Sequence, residues 1–254
     1  MLYPDDNDLK LLNTQQEKIA LLEKAGIEHL IVHPFTREFS RLTSLEFIRD
    51  ILVKKINTKK LVIGYDHHFG RNREGTFDHL KEFGHVHGFE VEEISAQDVN
   101  DIKVSSTKIR NALLAGDIKV ANRYLGHDFT LSGTVVHGEK RGKDIHFPTA
   151  NIFIKQKFKI IPANGVYAVI VKHEDNLYNG MLNIGNRPTF VNSSFSIEVN
   201  IFDFTKEIYN DWVQVIFKDR IRDELRFDSA GELKDQLAND KLKSLELLAS
   251  RPAV

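Results

Sequence analysis

The spacing of apolar residues changes near residue 128, and this change constrains the fold more than any other feature of the sequence. Before it, segments with an apolar residue every three or four positions alternate with short apolar runs, a pattern typical of helices alternating with strands. After it, short alternating runs are separated by Gly, Asn and Pro, which is typical of closely spaced antiparallel strands. The 254 residues are therefore predicted to form two domains, 1–127 and 128–254.

The pattern of the first half predicts an α/β domain. Its first helix follows Thr14, where Thr14 and Glu17 form a capping-box pattern, and Gly26 is the expected stop. Further helices are predicted at 44–56 and 75–88, and strands at 29–32, 60–64 and 89–94. Because strands and helices alternate, the strands are expected to form a parallel sheet with helical crossovers.

The second half predicts a small antiparallel β-barrel followed by a helix. The expected strands are LSGTVVHG (131–138), GVYAVIVKH (165–173), LYNGMLNIG (177–185), FSIEVNIFDF (195–204) and WVQVIFKDRIR (212–222). Glycine corners between short strands favour closure into a barrel. The helix is expected over 229–250, with five leucines packed on one face: Leu233, Leu237, Leu242, Leu245 and Leu248.

Composition narrows the range of functions. The formal net charge of −1 argues against nucleic-acid binding, and the lack of cysteine excludes disulfides and thiolate zinc sites. No apolar run approaches the roughly 18 residues of a membrane span, and no signal peptide is recognisable. We expect a cytoplasmic protein with small-molecule substrates and with no nucleic-acid or membrane partner; the sequence does not indicate an oligomeric state. Four histidines are interpreted as surface or phosphate-proximal residues rather than metal ligands: His67, His68, His85 and His87.

The glycine-rich segment 133–151, GTVVHGEKRGKDIHFPTAN, is the strongest candidate for a site. Glycines let backbone amides approach an anion, and basic side chains neutralise its charge. Thr and Asn provide oxygen ligands that suit Mg²⁺. The alternative is a hairpin loop that simply needs glycines. The candidate phosphate ligands are Gly138, Lys140 and Gly142, and the candidate metal ligands are Thr149 and Asn151.

Seven segments together carry a resemblance to a known family: GTVVHGEKRGKDIHFPTANI (133–152), NGVYAVIV (164–171), NIGNRPTF (183–190), SIEVNIFDF (196–204), IRDELRF (221–227), GYDHHFGRNREG (64–75) and VSSTKIRNALLAGD (104–117). With these motifs, the chain resembles the bacterial bifunctional riboflavin kinase/FAD synthetase family. It implies that the second half is a riboflavin kinase domain that phosphorylates riboflavin to FMN with ATP and Mg²⁺. It also implies that the first half is a nucleotidyltransferase-like, Rossmann-like domain that adenylylates FMN to FAD.

The resemblance assigns roles to residues of the second half. It implies that Thr149 and Asn151 contact Mg²⁺ and the ATP phosphates, that 138–142 covers the phosphates, and that Glu198 is the general base. Taken alone, Glu198 would be interpreted as an outward-facing strand carboxylate. The family usually has Arg and Gly where this chain has Lys143 and His146, which puts the local loop geometry in question.

Four residues are candidates for flavin binding. Asn183 and Arg187 lie in the predicted strand and turn NIGNRPTF, where they serve either the flavin and phosphates or the turn itself. Arg222 and Glu224 either form a flap over the flavin or make an ion pair near the start of the last helix.

In the first half, Ser105, Ser106, Thr107 and Arg110 match the family's Ser-Ser-Thr-x-x-Arg element. Hydroxyls and amides at a helix start favour an anion, and Arg110 could add a clamp; the alternative is an ordinary helix cap. The family's His-x-Gly-His element is not found in the sequence, and we expect the first βα unit of the family to be missing. We therefore expect weak FMN adenylylation or none. A non-catalytic flavin or nucleotide sensor is the alternative function, and Glu198 favours the enzyme because a sensor needs no base.

Overall fold

The structure is a computed structural model that describes residues 10–65, 67–95, 98–99, 102–138, 147–187 and 194–249. The described residues divide into two compact units. The first contains 19–65, 67–95, 98–99 and 102–104, and the second contains 10–18 and the described residues from 105 onward. In the ranges given above, no helix is both long enough and apolar enough to cross a membrane.

The first unit contains a parallel sheet with a helical crossover, as predicted. Its elements are the end of α1 (Gln15–Lys24), α2 (Arg37–Ser40), α3 (Ser44–Glu46) leading into a π-helical segment (Phe47–Val53), β1 (Lys60–Gly64), α4 (Phe77–His87), β2 (Glu90–Ile94), and the short antiparallel pair β3 (Asp98–Val99) and β4 (Ile102–Lys103). β1 pairs with β2 in parallel register, Lys60 opposite Glu90 and Gly64 opposite Ile94. The core of the unit consists of Ile48, Leu52, Ile63, Leu80 and Phe89.

The capping box predicted at Thr14 is confirmed. The backbone N–H of Thr14 donates to Glu17 Oε2 at 2.8 Å, and the backbone N–H of Glu17 donates to Thr14 Oγ1 at 3.2 Å. These reciprocal bonds satisfy amides that the first turn of α1 cannot satisfy internally. Gly26 follows the helix with φ +83°, in the left-handed region where glycine is least strained.

The strand predicted at 29–32 is wrong. This segment forms neither helix nor strand, and the side chains of Ile31 and Val32 are 68% and 59% exposed. A strand needs a neighbour to pair with its N–H and C=O groups. In the described part of the first unit, the parallel sheet consists of β1 and β2, so the apolar run at 29–32 has no neighbouring strand there to pair with.

The second unit is built on a closed antiparallel barrel, as predicted, with six strands where the sequence predicts five. Its elements are α5 (Ser106–Leu114), α6 (Ile118–Leu125), β5 (Thr130–Val136), β6 (Ala150–Phe153), β7 (Gly165–His173), β8 (Asn176–Arg187), β9 (Ser194–Ile201), β10 (Trp212–Arg222) and α7 (Ala230–Ala249). Neighbouring strands are antiparallel, in the order β10-β5-β6-β9-β8-β7. The sequence does not predict β6, because the segment Pro-Thr-Ala-Asn is typical of the end of a loop.

Alternation along the strands separates the barrel interior from its outer face. Buried side chains recur at every second position, as with Tyr167, Val169 and Val171 of β7. On the opposite face of β7 and β8, Val166, Ala168 and Met181 belong to a second apolar cluster. Leucines of α7 pack against this cluster, so the last helix covers part of the outer face: Leu237, Leu245, Leu247 and Leu248.

One leucine of the predicted α7 face is misassigned. Leu242 is 63% exposed, whereas Asp240 and Ser244 are 2% and 0% exposed. Ser244 Oγ donates to the carbonyl of Gly180 at 2.9 Å, and the Asp240 carboxylate pairs with Arg222. Two polar residues therefore occupy the buried stripe, because each has a specific partner on the barrel.

Asn122 of α6 ties that helix to the barrel through both ends of its amide group. Its Nδ2 donates to Asp128 Oδ1 and to the carbonyl of Phe217, each at 2.9 Å, and its Oδ1 accepts from the backbone N–H of Phe129 at 2.8 Å. Its side chain is almost fully buried. Removing it would leave buried backbone groups without partners.

We expect Asn122→Ala to lower the free energy of unfolding of this unit by about 2–3 kcal/mol. Urea unfolding followed by the fluorescence of Trp212, the chain's single tryptophan, on β10, measures it. The exposed Asn239→Ala is the matched control, with an expected change within about 0.5 kcal/mol. Equal midpoints for the two variants would contradict the structural role of Asn122.

Candidate functional site

Three neighbouring strands bring polar residues to one patch on the outer face of the barrel. Asn151 of β6 lies directly opposite Glu198 of β9, and Glu198 lies directly opposite Asn183 of β8. Directly opposite residues of antiparallel strands project to the same face. The flanking Ile197 and Val199 are 4% and 0% exposed and fill the interior, so Glu198 projects outward.

Two hydroxyl groups hold the carboxylate of Glu198. Thr149 Oγ1 donates to Glu198 Oε2 at 3.1 Å, and Ser196 Oγ donates to Glu198 Oε1 at 3.1 Å. We call these residues, with the two strand neighbours of Glu198, the Glu198 cluster: Thr149, Asn151, Asn183, Ser196 and Glu198. The structure thus brings together four of the predicted site residues.

Asn200 fixes the segment that carries Thr149. Its Nδ2 donates to the carbonyl of Pro148 at 2.6 Å, and the residue is 7% exposed. Sequence reasoning missed both Asn200 and Ser196. Alternation along β9 puts both residues on the same face as Glu198, and this is the sequence signal that could have identified them. The local pattern does not reveal the register with β6, however, and so does not reveal what they touch.

Gly138 lies against the cluster, as the predicted glycine loop requires. Val136 of β5 pairs with Asn151 of β6, and a Cβ added at Gly138 would overlap the side-chain amide of Asn151. Only glycine therefore fits beside Asn151 without a shift. Lys140 and Gly142 lie outside the described residues, as do Lys143 and His146, so their predicted roles are untested.

The structure gives Arg222 and Glu224 separate partners rather than an ion pair with each other. Arg222 Nε and Nη2 donate to the buried carboxylate of Asp240 at 3.0 and 2.7 Å. Glu224 Oε2 accepts from Asn164 Nδ2 at 3.0 Å, and its carboxylate occupies the space above Gly185. Gly185 lies opposite Ser196, so Glu224 borders the Glu198 cluster, whereas Arg222 anchors the end of β10 to α7.

The loop that carries Asn164 is itself held rigidly. Burial raises the pKa of Tyr167 to about 12, and its hydroxyl donates to the carbonyl of Ala163 at 2.5 Å. Arg220 Nη2 donates to the carbonyl of Asn164 at 2.5 Å.

Another predicted flavin ligand, Arg187, lies on β8 opposite Ser194.

At the start of α5, Ser105 is a helix cap. Its hydroxyl accepts from the backbone N–H of Lys108 at 3.3 Å, while Ser106 and Thr107 are exposed in the first turn. Arg110 Nε donates to the carbonyl of Lys10 at 2.7 Å. The cap interpretation is confirmed for Ser105, and anion binding by this group stays a prediction.

The donors of the Glu198 cluster suit a hard cation that also binds phosphate. Thr149, Asn151 and Glu198 offer hydroxyl, amide and carboxylate oxygens, the donor types that Mg²⁺ takes from proteins while keeping sites for water and phosphate. Elsewhere in the described ranges, no three or more His, Cys, Asp or Glu residues converge on a possible metal position. A carboxylate beside such oxygen donors is an arrangement that suits a phosphotransferase.

Comparisons with known proteins specify the class further. The riboflavin kinase family model matches residues 125–248, and the FAD synthetase model matches 1–108. The bifunctional riboflavin kinase/FMN adenylyltransferase of Escherichia coli (strain K12) is 36% identical over 254 residues, which cover 99% of this chain and 80% of that protein. The Bacillus subtilis (strain 168) enzyme of the same name is 35% identical, with 98% and 79% coverage.

A solved structure agrees in fold over nearly the whole chain. A crystal structure from Streptococcus pneumoniae, described as a macrolide-efflux protein, matches with a TM-score of 0.86 and 36% identity, covering 96% of this chain and 78% of that one. With the two family models and the relatives, the chain belongs to the bifunctional riboflavin kinase/FMN adenylyltransferase family.

Proposed function

We propose that the barrel unit phosphorylates riboflavin to FMN with ATP, and that Glu198 is the base of this reaction. The observation that carries the assignment is the position of Glu198 on the outer face, hydrogen-bonded to Thr149 and directly opposite Asn151 and Asn183. Phosphoryl transfer depends on positioning and on neutralising charge, and this cluster supplies groups for both.

In the proposed reaction, the 5′-hydroxyl oxygen of the ribityl chain attacks the γ-phosphorus of ATP. The bond between that phosphorus and the β–γ bridging oxygen breaks, and ADP leaves. Glu198 accepts the proton of the attacking alcohol, so that the alcohol does not have to carry a positive charge as the new bond forms.

Thr149 and Asn151 would hold Mg²⁺ through their side-chain oxygens. The ion, when bound, neutralises charge on the phosphate oxygens. Gly138, Lys140 and Gly142 would cover the phosphates, because glycine lets backbone amides approach and lysine adds positive charge. The support for this assignment is the contact of Gly138 with Asn151 and the hydrogen bond of Thr149 to Glu198.

Riboflavin would lie across β8 and the chain that follows β10. Asn183, Arg187 and Glu224 are its proposed neighbours, with Asn183 opposite the base and Glu224 above Gly185. Arg222 would contribute to the flavin site by fixing this stretch, because Asp240 engages its guanidinium group.

A Thr149→Val variant tests the metal and phosphate assignment. Valine keeps the shape of threonine and removes the oxygen, so we expect a higher Mg²⁺ requirement and a loss of about 10- to 100-fold in kcat/KM for ATP, as for other hydrogen-bonding partners of charged groups. FMN formation from riboflavin is followed by chromatography with fluorescence detection while Mg²⁺ is titrated.

A Thr149→Ser variant is the matched control and should keep most of the activity, because it retains the hydroxyl. An unchanged Mg²⁺ requirement in Thr149→Val would contradict the proposed role of Thr149 in holding the ion.

The second activity of the family, the adenylylation of FMN to FAD, is assigned to the part of the chain that the FAD synthetase model matches, residues 1–108. Ser105, Ser106, Thr107 and Arg110, at the start of α5, are the proposed anion-binding group for this activity. The domain bounds 1–127 and 128–254 and a cytoplasmic location remain proposals. No comparison favours the alternative of a non-catalytic sensor, since the matched family models and curated relatives name enzymes.

A further inference from the structure

We propose that Ser196 is a positioning residue for phosphoryl transfer, which fixes the carboxylate of Glu198 so that one oxygen faces the alcohol. The inference rests on the proposed role of Glu198 as the base. Its basis is the hydrogen bond from Ser196 Oγ to Glu198 Oε1 at 3.1 Å, which no sequence motif suggested.

The strand geometry makes this contact a built feature of β9. Residues two positions apart on a strand project to the same face, and the intervening Ile197 is 4% exposed within the barrel. Opposite Ser196 on β8 is Gly185, which has no side chain, and the carboxylate of Glu224 lies above it. Ser196 is half-buried, so water competes less for its hydroxyl than it would on an open surface.

The two hydroxyl partners of Glu198 differ in what they do during the reaction. Under the proposed function, the oxygen of Thr149 would help to hold Mg²⁺, so its hydroxyl would not be reserved for Glu198 Oε2, the oxygen proposed to face the alcohol. Ser196 has no such second task, and it continues to hold Oε1. A carboxylate fixed at one oxygen presents the other in a narrow range of directions, which is the kind of positioning on which this reaction depends.

A pair of β-branched substitutions isolates the hydroxyl. Ser196→Val and Ser196→Thr add the same bulk to β9, and only Thr keeps the donor. We expect Ser196→Val to lower kcat about tenfold, with KM for riboflavin and ATP within twofold, and Ser196→Thr to restore most of the turnover. Thermal midpoints of the two variants should agree, because neither leaves a fully buried group unpaired.

A mutant cycle with Glu198→Ala shows whether Ser196 acts through Glu198. If it does, Ser196→Val lowers turnover about tenfold in the native background and hardly at all in Glu198→Ala. Equal losses in both backgrounds, or no difference between the Val and Thr variants, would overturn the proposal. If Glu198→Ala alone keeps native turnover, the base assignment itself fails. That result is distinguishable, because it appears with Ser196 intact.

Discussion

Glu198→Gln is expected to lower kcat for FMN formation by about 10²- to 10⁴-fold, the usual contribution of a general base. Glutamine has nearly the same size as glutamate, and its amide oxygen can still accept a hydrogen bond from Thr149 or Ser196, both of which donate to Glu198 at 3.1 Å. What it loses is the ability to accept the alcohol's proton. Binding should therefore survive while turnover is lost.

Two measurements separate the steps. Quenching of riboflavin fluorescence gives its dissociation constant, which we expect to stay within about threefold of the native value, well below the loss in turnover. Steady-state FMN formation gives kcat. Glu246→Gln, on the exposed surface of α7, is the matched control and should change neither quantity. A kcat for Glu198→Gln within a few-fold of the native value would refute the role of Glu198.

Local patterns in the sequence were sufficient to predict most of the barrel. The alternation in FSIEVNIFDF predicts β9, because the apolar Ile197, Val199 and Ile201 at every second position fit a sheet with one face in a core. The same reasoning failed at 29–32, where the apolar run is present but the described residues supply no neighbouring strand. A strand forms only where another strand pairs with it, and the apolar run itself does not specify that neighbouring strand.

The sequence predicts which residue types form the site, but it does not predict which of them contact one another. Glu198, Thr149 and Asn151 carry the right functional groups, and a family resemblance selects them. Ser196 and Asn200 look like the solvated face of any strand, and their roles depend on the register of β9 against its neighbours. Arg222 and Asp240 are 18 positions apart, and their pairing follows only once α7 packs on the barrel.

Lys159 shows most clearly how much depends on distant contacts. It is 2% exposed, and its ammonium group donates to Glu17 Oε2 at 2.7 Å and to the carbonyl of Leu12 at 2.6 Å. The centre of the Phe129 ring lies 4.6 Å from Lys159 Nζ. Burial lowers the pKa of Lys159, because its charged form loses hydration, and Glu17 opposes that shift. Within the second unit, the pair fastens the capping box at the start of α1 to the chain between β6 and β7.

We expect Lys159→Met to lower the free energy of unfolding of the second unit by about 3–5 kcal/mol. Methionine fills a similar volume, but it leaves the carboxylate of Glu17 buried without its countercharge and the carbonyl of Leu12 without its donor. This is a large part of a typical total of about 5–15 kcal/mol. Urea unfolding followed by Trp212 fluorescence measures it, with the exposed Lys155→Met as the matched control.

A double-mutant cycle separates the pair from the individual side chains. In Glu17→Gln/Lys159→Met, no charge is left buried and the glutamine oxygen can still cap the N–H of Thr14, which Glu17 Oε2 holds at 2.8 Å. The double variant should therefore be more stable than Lys159→Met alone. A loss in Lys159→Met of less than about 1 kcal/mol, or simple additivity in the cycle, would show that the buried charge contributes little. Breaking the pair is expensive because one charge remains in the interior, whereas removing both relieves that cost.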